Sequence, residues 1–408
     1  MIYLEIYKKK LGNSKFEPHS NSDKFAFYSA DLKFFRENYF QQSIIKSETP
    51  ILVDPTALAY WQNKFQIELK DLSKLNLNKE DKNYNPRKLS EIGRFQCGFA
   101  TSGSTGDAKI IIKSEKEILA ELDVLISFVK KFKIHSVLNS IPLCHIYGFL
   151  WSYALPMELD VNVIDTSSLS QLRKELLHSS ANLLVSVPSI LQSLYSVSSE
   201  INPKNLEVIV SSGSRIQTEL AFSLEQNWNT RLIEIYGSTE TGGMGFRTPS
   251  FQDGIQFFPG VEPKLVEQEL YTKSPFITKE LLGEDGFYAT RDIGEMEGGF
   301  FYYRGRKDRI IKVNGKRVHL DALEQEISSL LQEGEILISD FKSIEGEFKI
   351  GLLISDPNKT KELKSIQAKL SSLPSHFQPS KIYLVHEIPK LPNGKKDYQK
   401  AKNEFHTY

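Results

Sequence analysis

The chain has 408 residues, 40% of them apolar and 25% charged, and its 51 Lys+Arg balance 51 Asp+Glu. That length accommodates two or three domains with a sizeable core, and the neutral balance excludes the basic field of a protein that coats nucleic acid or a membrane surface. Cys97 and Cys144 are too few for a disulfide framework and fit a reducing cytoplasm; no apolar run approaches bilayer length, and the order of Met1 and the apolar start before Lys8, Lys9 and Lys10 is the reverse of a signal peptide.

Residues 2–7 have strand spacing, 23–42 and 56–69 partly helical spacing, and 71–90 the polar composition of a solvated connection. From residue 95 a rhythm sets in, with short apolar runs that end in small or polar motifs and helical patterns after them. Residues 95–100 end at Thr101-Ser102-Gly103-Ser104-Thr105-Gly106-Asp107-Ala108-Lys109, with helical spacing over 114–131. Residues 136–141 end at Pro142-Leu143-Cys144-His145-Ile146-Tyr147-Gly148, and 182–187 end at Pro188 ahead of a helix over 189–196. Residues 206–211 end at Ser212-Gly213-Ser214 ahead of a helix over 219–228, and 231–235 end at Tyr236-Gly237-Ser238-Thr239-Glu240. Strands alternating with helices predict a mainly parallel sheet, and ligands of such sheets lie beyond the carboxyl ends of the strands. All five motifs are therefore expected along one shared edge.

Residues 251–306 change to short β segments with turns, at Pro259-Gly260-Val261, 268–273 and 286–290. Runs over 309–313 and 316–320 then flank Asn314-Gly315, a hairpin signal, and Asp321 and Glu324 have the spacing of a capping box for a helix through Leu331. Strands over 335–340, 348–355 and 381–385 and a helix over 361–373 complete an α+β unit. The expected fold class is α/β. A large N-terminal domain, 1–307, would have mainly parallel sheets and helices plus a β-rich part over 251–306; a small C-terminal α+β domain would follow at 308–408.

From Thr101 to Gly106 every residue is small, hydroxylated or glycine. Such a loop can turn backbone N–H groups and hydroxyls toward a phosphate, because glycine permits close approach, and Lys109 adds positive charge. The spacing from Gly103 fails the Walker template G-x-x-x-x-G-K-S/T, and a ligand-free Ser/Gly turn has the same composition, so the loop alone decides nothing.

Five motifs taken together resemble the adenylate-forming superfamily: acyl- and aryl-CoA ligases, luciferases and peptide-synthetase adenylation domains. They are the loop from Thr101 to Lys109; Tyr236-Gly237-Ser238-Thr239-Glu240, similar to Y-G-x-T-E; Tyr288-Ala289-Thr290-Arg291-Asp292, similar to the T-G-D region; Gly305-Arg306-Lys307-Asp308, similar to G-R-x-D; and Pro389-Lys390-Leu391-Pro392-Asn393-Gly394-Lys395, similar to P-K-x-P-x-G-K. The resemblance implies two half-reactions. A carboxylate attacks the α-phosphate of Mg-ATP to give acyl-AMP and pyrophosphate, and a thiol then takes the acyl group. It also implies that the small domain is a lid that rotates between the two steps.

The same resemblance implies roles. Thr101, Ser102, Gly103, Ser104, Thr105 and Gly106 would wrap the β- and γ-phosphates, with Lys109 adding charge. Tyr236 and Gly237 would sit at the adenine, with Gly213 and Ser214 as its wall. Thr239 would face the α-phosphate, Glu240 would hold Mg²⁺, a cation that favours oxygen ligands, and Asp292 would accept from the ribose hydroxyls. Arg306 would reach the ribose and α-phosphate, Asp308 would be the hinge, and Lys395 would meet the charge that develops in the first step. The neighbouring Lys396 and Lys400 are read as solvated. His145 and Tyr147 resemble residues that border the acyl pocket of aryl-CoA ligases. Their bland alternatives are a core aromatic for Tyr236, a surface acid for Glu240 and a satisfied buried histidine for His145. Seven basic residues against the one acid Asp308 between Tyr302 and His319 are a solvated face or a landing site for an anionic acceptor.

Three departures stand out: a shortened N-terminal stretch, Ala108 in place of the loop's usual proline, and Arg291 in place of a glycine, which is strained if that position has φ > 0. The expected activity is activation of an aryl or fatty acid with ATP and Mg²⁺, then transfer to coenzyme A. The alternatives are loading of the phosphopantetheine of an acyl-carrier protein, and a nucleotide-binding pseudoenzyme. No nucleic acid or membrane span is expected.

Overall fold

The structure, a computed structural model, describes residues 2–6, 24–29, 48–53, 69–71, 88–92, 94–102, 108–196, 201–331, 334–343, 346–356, 362–390 and 396–407. It forms two compact units. The first takes the described residues up to Ser102 with Ala108–Glu262 and Thr272–Tyr288; the second takes Pro263–Tyr271 and the described residues from Ala289 onward.

The first unit holds two sheets. One has six strands in the order β4-β1-β2-β3-β5-β6: β1 (Ile2–Ile6), β2 (Lys24–Ser29), β3 (Glu48–Val53), β4 (Leu69–Asp71), β5 (Gln96–Ser102) and β6 (Ala108–Ser114). Where partly helical spacing was expected at 23–42, Lys24–Ser29 is a strand, and the remainder of that stretch, like 56–68 and 72–87, lies outside the described residues. The hydroxyl- and glycine-rich segment is also differently framed. β5 pairs antiparallel with β6, Thr101 opposite Lys109 and Ser102 opposite Ala108, so the segment joins two strands of one hairpin and not a strand and a helix. The β-branched run Ile110, Ile111, Ile112 favours the extra strand. The helix Glu115–Val129 follows it, its first turn closed by Glu117 Oε2 accepting from the Ser114 amide at 2.7 Å.

The second sheet has seven strands in the order β13-β12-β11-β10-β9-β7-β8: β7 (Ser136–Asn139), β8 (Asn162–Asp165), β9 (Leu183–Ser186), β10 (Val208–Ser211), β11 (Arg231–Ser238), β12 (Gly242–Arg247) and β13 (Gln256–Phe257). β8, β7, β9, β10 and β11 run parallel, as the alternating pattern predicts, and β12 and β13 are antiparallel additions. The strand before the hydroxyl-rich segment thus belongs to another sheet, and the edge expected for five motifs gathers four, those that follow β7, β9, β10 and β11. β7, β9 and β10 are buried throughout, so alternate residues feed opposite cores. Val137, Leu183, Val185, Val208 and Val210 face one apolar cluster with the helix Glu115–Val129; Leu138, Leu184 and Ile209 face another with Leu172, Leu191 and Leu224 from three further helices.

Most of the sheet β14-β15-β16-β17 falls in the second unit; its strands are β14 (Glu262–Val266), β15 (Glu269–Lys273), β16 (Tyr288–Glu297) and β17 (Phe300–Arg306). The hairpin of β18 (Ile310–Val313) and β19 (Lys316–His319) turns at Asn314 and Gly315, with φ of 50° and 78°, as its Asn-Gly predicts. A three-stranded sheet follows, β20 (Ile336–Lys342), β21 (Phe348–Ser355) and β22 (Lys381–Val385), with the helices Leu320–Leu331 and Leu363–Leu370 packed in one apolar cluster and Tyr398–Thr407 in another. Residue 307, the last of the expected large domain, lies inside this unit, just after β17. Asp321 and Glu324 do not cap their helix as expected. Asp321 Oδ2 accepts from the Arg306 amide at 2.9 Å and Glu324 Oε2 from the Ile338 amide at 2.7 Å, so both carboxylates serve other backbone segments.

Arg291 has φ of 63° within β16. The usual glycine of this position avoids the left-handed Cβ cost, and the strain anticipated from the sequence is present. Arg291→Gly is expected to raise stability by about 1 kcal/mol, less the flexibility that glycine adds to the unfolded chain. A later urea midpoint at unchanged slope would report it.

Candidate active site

β11 and β12 meet in a tight turn that carries Thr239, Glu240 and Thr241. Glycine makes the closure possible: a Cβ on Gly237 would sit 2.1 Å from the Gly242 carbonyl oxygen, and Gly242 itself has φ of 68°. The turn's polar groups are tied. The Ser238 amide donates to Thr241 Oγ1 at 3.0 Å, and the Thr241 amide donates to Ser238 Oγ at 3.2 Å. Lys113 Nζ donates to the Glu240 carbonyl at 2.7 Å and to the Phe276 carbonyl at 2.6 Å, and Glu121 Oε1 accepts from the Gly243 amide at 2.6 Å. Two groups stand apart. The Thr239 hydroxyl and the Glu240 carboxylate accept and donate no hydrogen bond among the described residues, and both side chains are half-buried.

Lys113 and Glu121 are 1% and 3% exposed. Burial lowers the lysine to about 8, against the charges of Glu121, Glu117 and Glu240. Burial raises the glutamate to about 7, against the Gly243 hydrogen bond and the charge of Lys113.

Gly213 and Ser214 are exposed, on a segment anchored at both ends. Ser212 Oγ donates to the Ile235 carbonyl at 2.9 Å. On the far side, the Ile216 amide donates to Glu234 Oε2 at 2.6 Å and its carbonyl accepts from Arg247 Nη2 at 2.9 Å. Arg247 also holds Glu234 through Nε at 2.9 Å and Asp253 through Nη1 at 2.7 Å. Tyr236, from the end of β11, packs half-buried against the core beside this segment's strand.

Tyr147 has a definite structural task. Its hydroxyl lies 2.7 Å from the Val210 carbonyl and 3.1 Å from that of Ser186, bridging the ends of β10 and β9, and burial pushes its phenol well above the usual range. His145 is half-buried just before the helical turn Ile146–Phe149, and its carbonyl accepts from the Phe149 amide at 2.9 Å. Cys97 and Cys144 are buried free thiols.

In the second unit, Arg306 forks onto Asp308, Nε to Oδ1 and Nη2 to Oδ2 at 3.0 Å each, and its Nη1 donates to Asp292 Oδ1 at 3.3 Å. Burial works against the guanidinium's charge, but the Asp308 hydrogen bonds and the two carboxylates outweigh it and hold its pKa above the ordinary value. Lys396, expected to be solvated, instead donates to Glu324 Oε1 at 2.6 Å, an oxygen that also accepts from the Tyr398 hydroxyl at 3.2 Å. Lys390 and Lys396 form an antiparallel bridge, and the Asp397 amide donates to the Pro389 carbonyl at 2.8 Å, so the base of the segment that contains Lys395 is closed. Lys395 itself, like Gly103, Ser104, Thr105 and Gly106, lies outside the described residues, and of Thr101, Ser102 and Lys109 only the strand placement is described.

Comparison with known proteins fits this arrangement. The AMP-binding enzyme family matches residues 93–278, the stretch that runs from β5 through the turn of Thr239 and Glu240. Over that stretch the chain is similar to the adenylate-forming superfamily. A probable CoA ligase of Humulus lupulus is 23% identical over 72% of this chain and 61% of its own length. A fatty acid–[acyl-carrier-protein] ligase of Mycobacterium marinum is 24% identical over 72% of this chain and 65% of its own. The chain thus spans less than two thirds of the length of these curated relatives. The fold is shared with O-succinylbenzoate coenzyme A synthetase of Bacillus subtilis, solved with ATP and magnesium, at a TM-score of 0.72 and 14% identity over 89% of this chain and 87% of that one.

Sequence motifs located the turn, the Gly213–Ser214 segment and the Asp292–Arg306–Asp308 trio. They missed the side chains that hold those pieces: Lys113, Glu121, Glu234 and Arg247. A lysine closing an isoleucine run and a glutamate on the apolar face of a helix were the available signals. Arg247→Met is expected to destabilise the first unit by about 3 kcal/mol, because it strands the buried Glu234 carboxylate. Arg215→Met, whose side chain is 33% exposed in its pair with Asp253, is expected to cost under about 1 kcal/mol. Denaturant midpoints of the two variants measure the contrast.

Proposed function

We propose that the chain is an AMP-forming acid–thiol ligase. The observation that carries this reading is the turn at Thr239 and Glu240, whose backbone is tied by Lys113, Ser238, Thr241 and Glu121 while the Thr239 hydroxyl and the Glu240 carboxylate make no hydrogen bond among the described residues. A carboxylate presented from a fixed backbone suits Mg²⁺, which takes oxygen ligands and keeps phosphate oxygens in its shell. Bound there, Mg²⁺ would offset phosphate charge.

In the first half-reaction a carboxylate oxygen of the acid forms a bond to the α-phosphorus of ATP while the bond to pyrophosphate breaks. Thr239 donates its hydroxyl to an α-phosphate oxygen, Tyr236 lies along the adenine beside Gly213 and Ser214, and Asp292 accepts from ribose hydroxyls. Arg306 and Lys395 supply positive charge, and the segment from Thr101 to Lys109 binds the outer phosphates. His145 and Tyr147 border the acyl group, with the Tyr147 hydroxyl committed to strand ends and only its ring available. In the second half-reaction a thiolate sulfur attacks the acyl carbon and AMP leaves; Asp308 is read as the hinge between the two steps.

The acceptor is read as coenzyme A. The exposed Lys312, Lys316 and Arg317 of the β18–β19 hairpin suit its phosphates. The likeness to the fatty acid–[acyl-carrier-protein] ligase of Mycobacterium marinum supports a second reading, the phosphopantetheine thiol of a carrier protein.

Pyrophosphate release is expected only when ATP, Mg²⁺ and an organic acid are present together, and a broad acid panel without release despite nucleotide binding would identify a pseudoenzyme. Lys395→Ala is expected to slow acyl-AMP formation about 10²–10³-fold, the scale of one lost transition-state donor. Transfer from supplied acyl-AMP should persist. Equal loss of both steps would remove Lys395 from the assigned role. Acyl transfer to a carrier protein with none to coenzyme A would decide for the second acceptor.

A further inference from the structure

The proposed reaction does not use Lys113 or Glu121, yet both are buried beneath the turn that would face the nucleotide. A lysine in a core position carries a desolvation cost that methionine, of similar length, would avoid. What methionine lacks is a donor. Lys113 Nζ grips two carbonyls from remote segments, Glu240 at 127 residues' separation and Phe276 at 163. Glu121 reaches 122 residues along the chain to the Gly243 amide. The fit is close: a Cβ on Gly242 would lie 2.2 Å from Glu121 Oε2, and one on Gly243 would lie 3.1 Å from Oε1. The two side chains therefore fix the backbone on both sides of Thr241. Among the described residues the Thr239 hydroxyl and the Glu240 carboxylate are then the groups of this held turn that make no hydrogen bond.

We infer that Lys113 and Glu121 are positioning residues that clamp the Glu240 carbonyl and the Gly243 amide, so that Thr239 and Glu240 are presented to magnesium and nucleotide phosphate from a rigid turn. What is presented rests on the ligase reading; the clamp itself does not. A purely structural role would lower stability without selectively loosening this turn or changing its metal requirement.

The test uses the full chain carrying Lys113→Met together with Glu121→Gln. The pair removes both buried charges at nearly constant volume and keeps an amide oxygen for Gly243, so the protein is expected to fold even if Lys113→Met alone does not. Hydrogen exchange of peptides covering 237–243, without ligand, is expected to quicken about tenfold, the scale of losing one charge-assisted hydrogen bond. Peptides of β20 and β21 should be unchanged. The Mg²⁺ concentration for half-maximal pyrophosphate release is expected to rise about tenfold, more than the maximal rate falls. Unchanged exchange over 237–243 in a folded double variant would overturn the clamp. Faster exchange with an unchanged Mg²⁺ requirement would overturn its positioning role. If the parent chain releases no pyrophosphate with any acid, the ligase reading fails on its own and the exchange result still decides the clamp.

Discussion

A parallel sheet leaves backbone carbonyls at the carboxyl ends of its strands, and those that are buried must find donors. Much of the first unit's polar design answers that requirement. Thr166 Oγ1 donates to the Asn139 carbonyl at 2.9 Å, Ser140 Oγ to Val185 at 2.9 Å, the Tyr147 hydroxyl to Val210 at 2.7 Å, and Ser212 Oγ to Ile235 at 2.9 Å. Small hydroxylated residues at strand ends are thus read as ligand motifs and also act as staples. Once the carbonyls are satisfied internally, the loops beyond them keep a fixed shape, and what remains unengaged is available for chemistry.

The same division explains what the sequence revealed. Alternating strands and helices from Ser136 to Trp228 were legible because buried parallel strands are short, continuous apolar runs and the helices between them have their own period. Asn314-Gly315 was legible because so few residue pairs accept its geometry. The β5–β6 hairpin was not, since a strand entering a loop looks alike whether a helix or a strand follows. Only the isoleucine run beyond Lys109 distinguished the two.

Motifs recorded the groups that face outward and missed their supports. Asp321 and Glu324 have the spacing of a helix cap, yet their carboxylates hold Arg306 and Ile338 from other elements. Lys396 looked like a surface lysine and proved to be bound to Glu324. Such partners lie 14 to 72 residues apart, and no local pattern encodes them. Arg291 is the opposite case: a single side chain in place of a glycine marks the position where the backbone is left-handed.

The fork between Arg306 and Asp308 changes how that guanidinium meets an anion. Asp292, Arg306 and Asp308 comprise two carboxylates and one cation, so the trio as a whole is negative by one charge. The three hydrogen bonds of the trio use three of the five N–H donors of the guanidinium, so an anion that reached it would share the cation with two resident carboxylates. An arginine seated in this way is oriented before any anion arrives, so its fork costs a ligand little ordering and offers it a shared, not an undivided, charge.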